Sequence, residues 1–437
     1  MYISLSDRPG PGDSTAGSEV RNGRRRRIRG PRTVSSTVVT LGIVSLLTDV
    51  SSESITAILP IYITGVLGLS TIAFGFIDGL YQGVSALVRV AAGYTSDRSG
   101  QPKRVAFTGY ALAALARVGL VFASGFAAVA AVVTADRIGK GIRTAPRDAL
   151  IAAATDRRDL GAAFGVHRAL DTVGAVIGPL LAFAILFVVP DGYQVVFVAS
   201  FAFAIVGVAV LGLLVPNIRT RRAAASHPPA AGTRPRTHVD WSVITRGPLR
   251  RVLATAGLLG IVTIGDGFVY LVLQSRDDFA AQWFPLLYVG TNVVFLLLAV
   301  PLGRLADRIG RARLFVIGHL GLLAAYALAT VPVAGIATTL LCIGFLGAFY
   351  AATDGVLAAL ASAMTPIESR ATGLAAVQTV VALSRFVAAA GFGILWFAMG
   401  REQAMLLVSL LLVAALALAA VLLRPLLVRS PAPRDDG

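Results

Sequence analysis

The sequence contains Gly93-Tyr-Thr-Ser-Asp97-Arg98-Ser-Gly100, and about 210 residues later it contains Gly303-Arg-Leu-Ala-Asp307-Arg308-Ile-Gly310. Each copy of this charged GxxxDRxG pattern lies where one long apolar run ends and the next begins. Basic residues follow both copies. Two matching charged turns in a mostly apolar chain indicate a membrane protein whose two halves are related by duplication.

Two further segment pairs repeat in the same order and at similar offsets. Gly42-Ile-Val-Ser-Leu-Leu-Thr-Asp49 resembles Gly260-Ile-Val-Thr-Ile-Gly-Asp266, and Arg147-Asp148-Ala-Leu-Ile-Ala resembles Thr353-Asp354-Gly-Val-Leu-Ala. Chance can produce one such match, but three in register support duplication.

Composition places the chain in a bilayer. Of its 437 residues, 56% are hydrophobic and 14% are charged, whereas soluble domains carry roughly 25% charged residues. A membrane-spanning helix needs about 20 apolar residues, so the chain accommodates roughly a dozen spans. The single cysteine, Cys342, lies in an apolar run and excludes both a disulfide framework and a cysteine-based metal site.

The net charge of +16 invites comparison with nucleic-acid-binding proteins, but its distribution favours a membrane topology. Basic residues collect at both ends and in alternate connections, which is the pattern of loops that stay in the cytoplasm. We therefore expect no nucleic-acid partner. We expect a cytoplasmic (inner or plasma) membrane location, with the N- and C-termini in the cytoplasm.

The resulting fold prediction is an all-α integral membrane protein with twelve transmembrane helices in two pseudo-symmetric six-helix bundles. The spans that later matter most are predicted at 73–96, 251–274 and 280–302. The predicted domains are a disordered basic tail (1–36), a first bundle (37–216), a cytoplasmic linker (217–250), a second bundle (251–428) and a cytoplasmic tail (429–437).

Over about residues 35–428 the chain resembles the major facilitator superfamily, whose most specific signature is the GxxxDRxG motif. The resemblance implies two bundles around a cavity that opens alternately to each side, and a monomer. It also implies a latch on the inner side. The glycines would allow close helix approach, and the aspartates would accept hydrogen bonds from a neighbouring helix N-terminus. The inner-gate candidates are Gly93, Asp97, Arg98, Gly100, Gly303, Asp307, Arg308, Gly310, Asp148 and Asp354.

The fourth span carries Asp136-Arg137-Ile-Gly139-Lys140-Gly141-Ile-Arg143-Thr-Ala-Pro146-Arg147-Asp148. It resembles the family motif RxxQGxG, with Arg137 at the arginine and Lys140 where glutamine is usual. In the family this arginine is linked to proton transfer. The charges form a stripe that cannot face hydrocarbon, where each costs at least about 2.5–3.5 kcal/mol. They either serve transport or only cross-link helices.

The fifth span contains Gly174, Gly178 and Pro179 in a GxxxGP pattern that resembles the family's antiporter motif. Leu180 and Leu181 replace the small residues expected after it, which weakens the inference of antiport. Earlier in the same span, Arg168 and Asp171 are three residues apart and can pair.

Asp49 and Glu53 are four residues apart and share one face of the first span. Burial and mutual repulsion both oppose ionisation of two such carboxyls, and a proton carrier needs that property. Together with Asp266, the repeat mate of Asp49, they are the leading candidates for binding a proton or a cationic substrate. The alternative is static pairing with Arg117, Arg137 or Arg168. The complete set of coupling or substrate candidates is Asp49, Glu53, Asp171, Asp266, Arg137, Lys140, Arg168 and Arg385.

The sequence contains no nucleotide-binding loop, metal-ligand cluster or nucleophile–base arrangement. We therefore expect a protein that is not an enzyme and has no cofactor, with a proton gradient as its energy source. Three functions stay open. The first is proton-coupled export of a small organic solute. The second is proton-linked import of a metabolite, anionic if the cationic stripe binds it. The third is a membrane sensor without transport.

Overall fold

The computed structural model describes residues 34–156, 159–217, 247–366 and 369–427. These residues are almost entirely helical, and no strand occurs in those ranges. The predicted all-α membrane fold is therefore confirmed. The N-terminal tail, most of the predicted linker and the C-terminal tail lie outside the described residues.

The first half consists of six long helices joined by short connections. They are α1 (Ser36–Ile61, continued by a π-helical turn at Tyr62–Val66), α2 (Thr71–Ser99), α3 (Pro102–Phe122), α4 (Phe126–Ala153), α5 (Leu160–Val188) and α6 (Tyr193–Leu214). All except α4 are apolar enough to cross a membrane on composition alone. Helix α4 has 28 residues, which is also long enough to cross a membrane. Its charged residues are what distinguish its composition from that of the other five helices.

The second half repeats this plan with one difference. Its helices are α7 (Pro248–Ile261), α8 (Asp266–Asp277), α9 (Phe284–Ile309), α10 (Arg311–Thr330), α11 (Ile336–Ala363), α12 (Arg370–Met399) and α13 (Arg401–Leu427), with a short 3₁₀ turn at Ala281–Trp283. Helices α7 and α8 together form one membrane-crossing unit. In the described residues the two halves thus supply twelve spans, as predicted.

The seventh span, predicted at 251–274, extends over Pro248–Asp277, and its helix is broken in the middle. Residues 262–265 leave the helix between α7 and α8. The Tyr326 hydroxyl satisfies part of the freed backbone, since it accepts a hydrogen bond from the Ile264 N–H at 2.8 Å and donates to the Val262 carbonyl at 3.2 Å. Non-helical backbone at membrane depth is tolerated only inside protein or beside a cavity, so the break marks an interior site.

The repeated GxxxDRxG pattern is helical rather than a turn, because the helices continue beyond the predicted span ends at 96 and 302, to Ser99 and Ile309. Only the last glycine of each copy leaves the helix, with φ of 61° at Gly100 and 100° at Gly310. Glycine adopts positive φ without the steric cost that a side chain brings. The charged residues mark the end of the apolar run, but they do not end the helix.

Helices α1 and α5 approach closely at the two glycines of the GxxxGP pattern. A Cβ at Gly174 would lie 2.5 Å from the Leu46 carbonyl oxygen, and one at Gly178 would lie 2.9 Å from the Val50 carbonyl oxygen. No side chain fits against a backbone at such distances. The motif therefore sets the spacing between α5 and the carboxyl-bearing face of α1.

The two halves meet where α2 begins and α12 ends, and we call this the packed end. The Thr71 hydroxyl donates to the Gly393 carbonyl at 3.0 Å. A Cβ at Gly75 would lie 2.4 Å from the Ala389 carbonyl oxygen. The contact is therefore largely main chain against main chain.

We expect Gly174→Ala to lower the free energy of unfolding by about 1–3 kcal/mol, because the added methyl meets backbone that cannot move aside. Gly165→Ala is the matched control on the same helix, since its Cβ would have nothing within 4 Å. The thermal unfolding midpoint in detergent, followed by tryptophan fluorescence, measures both changes. Equal midpoints for the two variants would contradict the packing role.

Candidate functional site

Asp136 on α4 is the partner of two buried arginines in the first half. It lies 3.1 Å from the Arg117 guanidinium and accepts a hydrogen bond from Arg137 Nε at 2.9 Å. Both arginines are almost fully buried, with 2% and 3% of their surface exposed. The Arg137 Cζ also lies 3.7 Å above the Tyr81 ring centroid. The motif arginine is therefore held between a carboxylate and an aromatic face.

One to three turns further along α4, two more arginines reach carboxylates on neighbouring helices. Arg143 lies 3.6 Å from Asp49 on α1, and Arg147 lies 3.8 Å from Asp171 on α5. Ser45 joins the second pair, because its hydroxyl accepts from Arg147 and donates to Asp171, each at 2.9 Å. The charges of α4 thus face other helices of the same bundle.

Asp49 lies against α5, since a Cβ at Gly174 would come 3.1 Å from the Asp49 Cβ, and its carboxyl interacts with that of Asp171 across this close contact of α1 and α5. Two adjacent carboxyl groups titrate as a pair and readily share one proton. Arg168 pairs with Asp171 at 3.3 Å, as the three-residue spacing predicted. Asp49 and Asp171, predicted separately as candidates, thus form one site.

Glu53 and Lys140 are differently placed. Neither side chain makes a hydrogen bond or an ion pair within 4.0 Å in the described part of the chain, although the two interact electrostatically. Both side chains are half-buried. They are the charged candidates of the first half that are left available to a ligand.

The static pairs considered from the sequence form with other partners. Arg117 and Arg137 pair with Asp136 rather than with Asp49, Glu53 or Asp266.

His167 lies buried on α5, and no described group forms a hydrogen bond with either of its ring nitrogens. Within the described ranges, no group of three His, Cys, Asp or Glu side chains is placed to hold a metal ion.

In the second half, the break in the seventh span places Asp266 at the first position of α8, where the helix dipole favours a negative charge. The Tyr350 hydroxyl on α11 donates a hydrogen bond to its carboxylate. Arg385 on α12 pairs with Asp354 at 3.5 Å, and its Cζ lies 5.8 Å from the Tyr350 ring centroid. Tyr350 was not predicted, because a tyrosine in an apolar run does not signal a site.

Asp78 on α2 lies inside the span predicted at 73–96 and is not among the predicted site residues. Its carboxylate lies against Gly265 at the break of the opposite half, where a Cβ would come within 2.2 Å of Oδ2. An ionisable residue inside a membrane segment is itself a signal of function. Its partner could not be predicted, because the contact crosses between the halves.

The predicted gate residues show a looser arrangement. A Cβ at Gly93 would meet Ala145 at an ordinary 3.5 Å, and one at Gly303 would meet no described atom within 4 Å, so the described residues show no close helix approach at these glycines. Asp307 pairs with Arg311 at 3.2 Å rather than with a helix N-terminus. The side chains of Asp97 and Arg98 lie outside the described residues.

The remaining gate candidates are partly or largely open to solvent, and the two aspartates among them pair within their own half. Asp148 lies 3.0 Å from Arg147 and is 44% exposed. Asp354 is 53% exposed despite its pair with Arg385. Arg308 is exposed at the end of α9.

We expect Asp136→Asn to lower the free energy of unfolding by about 3–5 kcal/mol, because it leaves two buried guanidinium groups without a counter-charge. Asp148→Asn is the matched control, since its carboxylate is 44% exposed and a solvent-facing pair contributes at most about 1 kcal/mol. Thermal unfolding in detergent measures both variants. A loss as small as the control's would show that Asp136 does not hold the two arginines.

Comparison with known proteins gives a consistent result. The family model described as Major Facilitator Superfamily matches residues 41–294. An uncharacterised MFS-type transporter of Methanocaldococcus jannaschii is 29% identical over 376 residues, covering 84% of this chain and 89% of the relative. An uncharacterised protein of Mycobacterium tuberculosis is 28% identical over 288 residues, covering 65% of this chain and 69% of the relative.

Solved structures share the fold at low identity. The nucleoside transporter NupG has a TM-score of 0.73 at 13% identity, covering 89% of this chain and 99% of that one. A bacterial homologue of the human lysosomal transporter Spinster has a TM-score of 0.69 at 16% identity, covering 92% of this chain and all of that one. The chain belongs to the Major Facilitator Superfamily and is a multi-pass secondary transporter of the membrane, not an enzyme.

Proposed function

We propose that this protein exports a small organic solute in exchange for protons, with Asp49 and Asp171 as the principal proton site. The observation that carries the proposal is the pair of carboxyls held together across α1 and α5. Two ionised carboxylates in contact repel each other, so one proton stabilises the pair. Such a site can gain and lose a proton as its surroundings change.

The surroundings of the pair fit a group that must exchange a proton. Arg143 and Arg147 lie 3.6 Å and 3.8 Å from the two carboxyls, which is close enough to stabilise a negative charge when the proton leaves. Ser45 can donate to the ionised form of Asp171. The site therefore has partners for both of its protonation states.

The GxxxGP pattern supports exchange for a physical reason. Gly174 and Gly178 lie against the backbone of α1 on either side of Asp49 and Glu53. Movement of α5 relative to α1 would change the separation of Asp49 from Asp171. Proton affinity and helix position are thereby linked.

The import of an anionic metabolite is less well supported. Such a solute needs cations that are available to it, but most of the basic candidates already lie within 4.0 Å of a carboxylate. These are Arg143, Arg147, Arg168 and Arg385. Among the predicted basic candidates, Lys140 is the one described side chain without such a partner. Glu53 balances it.

Several other elements of the proposal follow from the predicted topology. With the basic connections in the cytoplasm, the packed end faces outward. We propose the cytoplasmic membrane as the location and a monomer as the working unit, because one chain supplies both halves. The proton gradient supplies the energy, without a cofactor or a nucleic-acid partner.

Proton coupling is tested in inverted membrane vesicles with solutes that differ in abundance between a deletion strain and its parent. In energised vesicles, entry of an exchanged solute releases protons and restores the fluorescence of a quenched pH dye. We expect Asn at Asp49 or Asp171 to abolish this recovery, because an amide binds no proton at neutral pH. Downhill flux of the same solute should continue.

The matched control is Asp191→Asn. Asp191 lies in an exposed connection with φ of 58°, a conformation that Asn tolerates, and the change should leave recovery intact. Undiminished proton-coupled recovery in both the Asp49 and Asp171 variants would refute their proposed role.

Direction is tested in intact cells with the same solute. Export predicts that the internal concentration falls as expression of the protein rises, and that it increases in the deletion strain. Import predicts the opposite dependence. Binding to purified protein without flux in proteoliposomes would instead support a membrane sensor.

A further inference from the structure

A second group of carboxyls lies between the two halves, apart from the Asp49–Asp171 pair. The break between α7 and α8 borders a small cavity of about 10 Å³, enough for about one water molecule. Asp78 and Gln82 of α2 line it from the first half. Gly265 and Arg385 line it from the second half.

Asp78 is the unusual member of this group. Its Oδ2 is buried, and no described group forms a hydrogen bond with it. It reaches this position because residue 265 is glycine, since a Cβ there would lie 2.2 Å from the oxygen. A buried carboxylate oxygen without a partner costs free energy, so its position requires a compensating interaction.

The neighbouring charges do not compensate for it. Three carboxyls, those of Asp78, Asp266 and Asp354, interact electrostatically with the single guanidinium of Arg385. Arg385 forms its ion pair with Asp354. Asp266 has the Tyr350 hydroxyl. If all three carboxyls were ionised, two negative charges would stay unbalanced at this place.

The groups around the pair come from several helices. The titratable or charged side chains that interact with Asp78, with Asp266 or with their immediate neighbours are Glu53, Tyr81, Arg168, Tyr270, Tyr288, His319, Tyr326, Tyr350, Asp354 and Arg385. Arg168 acts on Asp354 rather than on the pair. Arg385 is thus the cation on which Asp78 and Asp266 both depend.

We propose that Asp78 and Asp266 form an interfacial proton site, which holds one proton while the two halves are in contact at the break. The proton comes from water and forms an O–H bond on one of the two carboxyls. It returns to water when the halves separate and each carboxylate is solvated alone. The site deepens the proton-coupled transport proposed above, because it couples protonation to the relative position of the halves.

The direction of the effect follows from linkage. The conformer with the halves in contact brings the two carboxyls together and therefore binds the proton more tightly than the separated conformer. A ligand shifts an equilibrium toward the state that binds it better. Lower pH must therefore favour the conformer described here, and higher pH must favour separation at the break.

The test measures distance across the packed end in the absence of any solute. Spin labels are attached at Val66→Cys and Gln403→Cys in a Cys342→Ser background, and the full-length protein is studied in lipid nanodiscs at about pH 5 and about pH 8. A tenfold difference in proton affinity between conformers shifts their ratio by at most about tenfold. We expect the ratio of the short-distance to the long-distance population to rise by about that factor at the lower pH.

Asp78→Asn should reduce this change to less than about twofold, because the amide keeps the shape of a protonated carboxyl but cannot titrate. Asp266→Asn should act in the same way, which gives a second variant if one fails to fold. Asp278→Asn is the matched control. It lies in an exposed connection, and it should retain the full change.

Two results would overturn the proposal. One is a pH response that survives intact in both Asp78→Asn and Asp266→Asn. The other is a response that disappears in Asp49→Asn while both interfacial variants keep it, which would assign the effect to the first-half pair. Absence of proton-driven transport in the unaltered protein, together with an intact distance response, would instead count against the transport proposal alone.

Discussion

A charge surrounded by helices in a membrane must find its partner inside the bundle, and the first half of this protein is organised around that constraint. Asp136 neutralises Arg117 from α3 and Arg137 from its own helix. The Tyr81 ring of α2 covers Arg137. Three helices are thereby held at one depth by a single carboxylate. Helix α4 can span the membrane despite its charges because its neighbours supply these partners.

The two halves have similar architecture but different electrostatics. In the first half, the arginines at 117, 137, 143 and 147 all lie within 4.0 Å of carboxylates. In the second half, the Arg385 guanidinium interacts electrostatically with the carboxyls of Asp266 and Asp354. It also interacts with the carboxyl of Asp78 from the opposite half. Duplication therefore preserved the helices while the charge balance diverged. Those four arginines of the first half have carboxylates of their own bundle, whereas Arg385 of the second half also interacts with an acid of the other bundle, Asp78.

The sequence was sufficient to predict the number of spans, because apolar length and the repeated motif report on helices directly. It also predicted the pairing of Arg168 with Asp171, which depends only on helical spacing. It missed the break at 262–265 because Val262 and Ile264 make the segment look like a continuous apolar run. Gly265 was the available signal, and its meaning depends on Asp78, which approaches from α2. Contacts between distant helices, such as Asp49 with Asp171, leave no local pattern in a single sequence.

The contact between Gly75 and the backbone of α12 has a mechanical consequence. Because main chain lies against main chain there, no side-chain rotamers have to be reset when the angle between the halves changes. At this contact, α2 and α12 can therefore tilt relative to each other at little cost in side-chain conformational entropy. The resistance to rocking must then come from elsewhere, chiefly from the charged groups and aromatic rings buried between the halves. The contact at Gly75 then acts as the point about which the halves rotate. The rate of that rotation depends on the groups that are buried between the halves beside it.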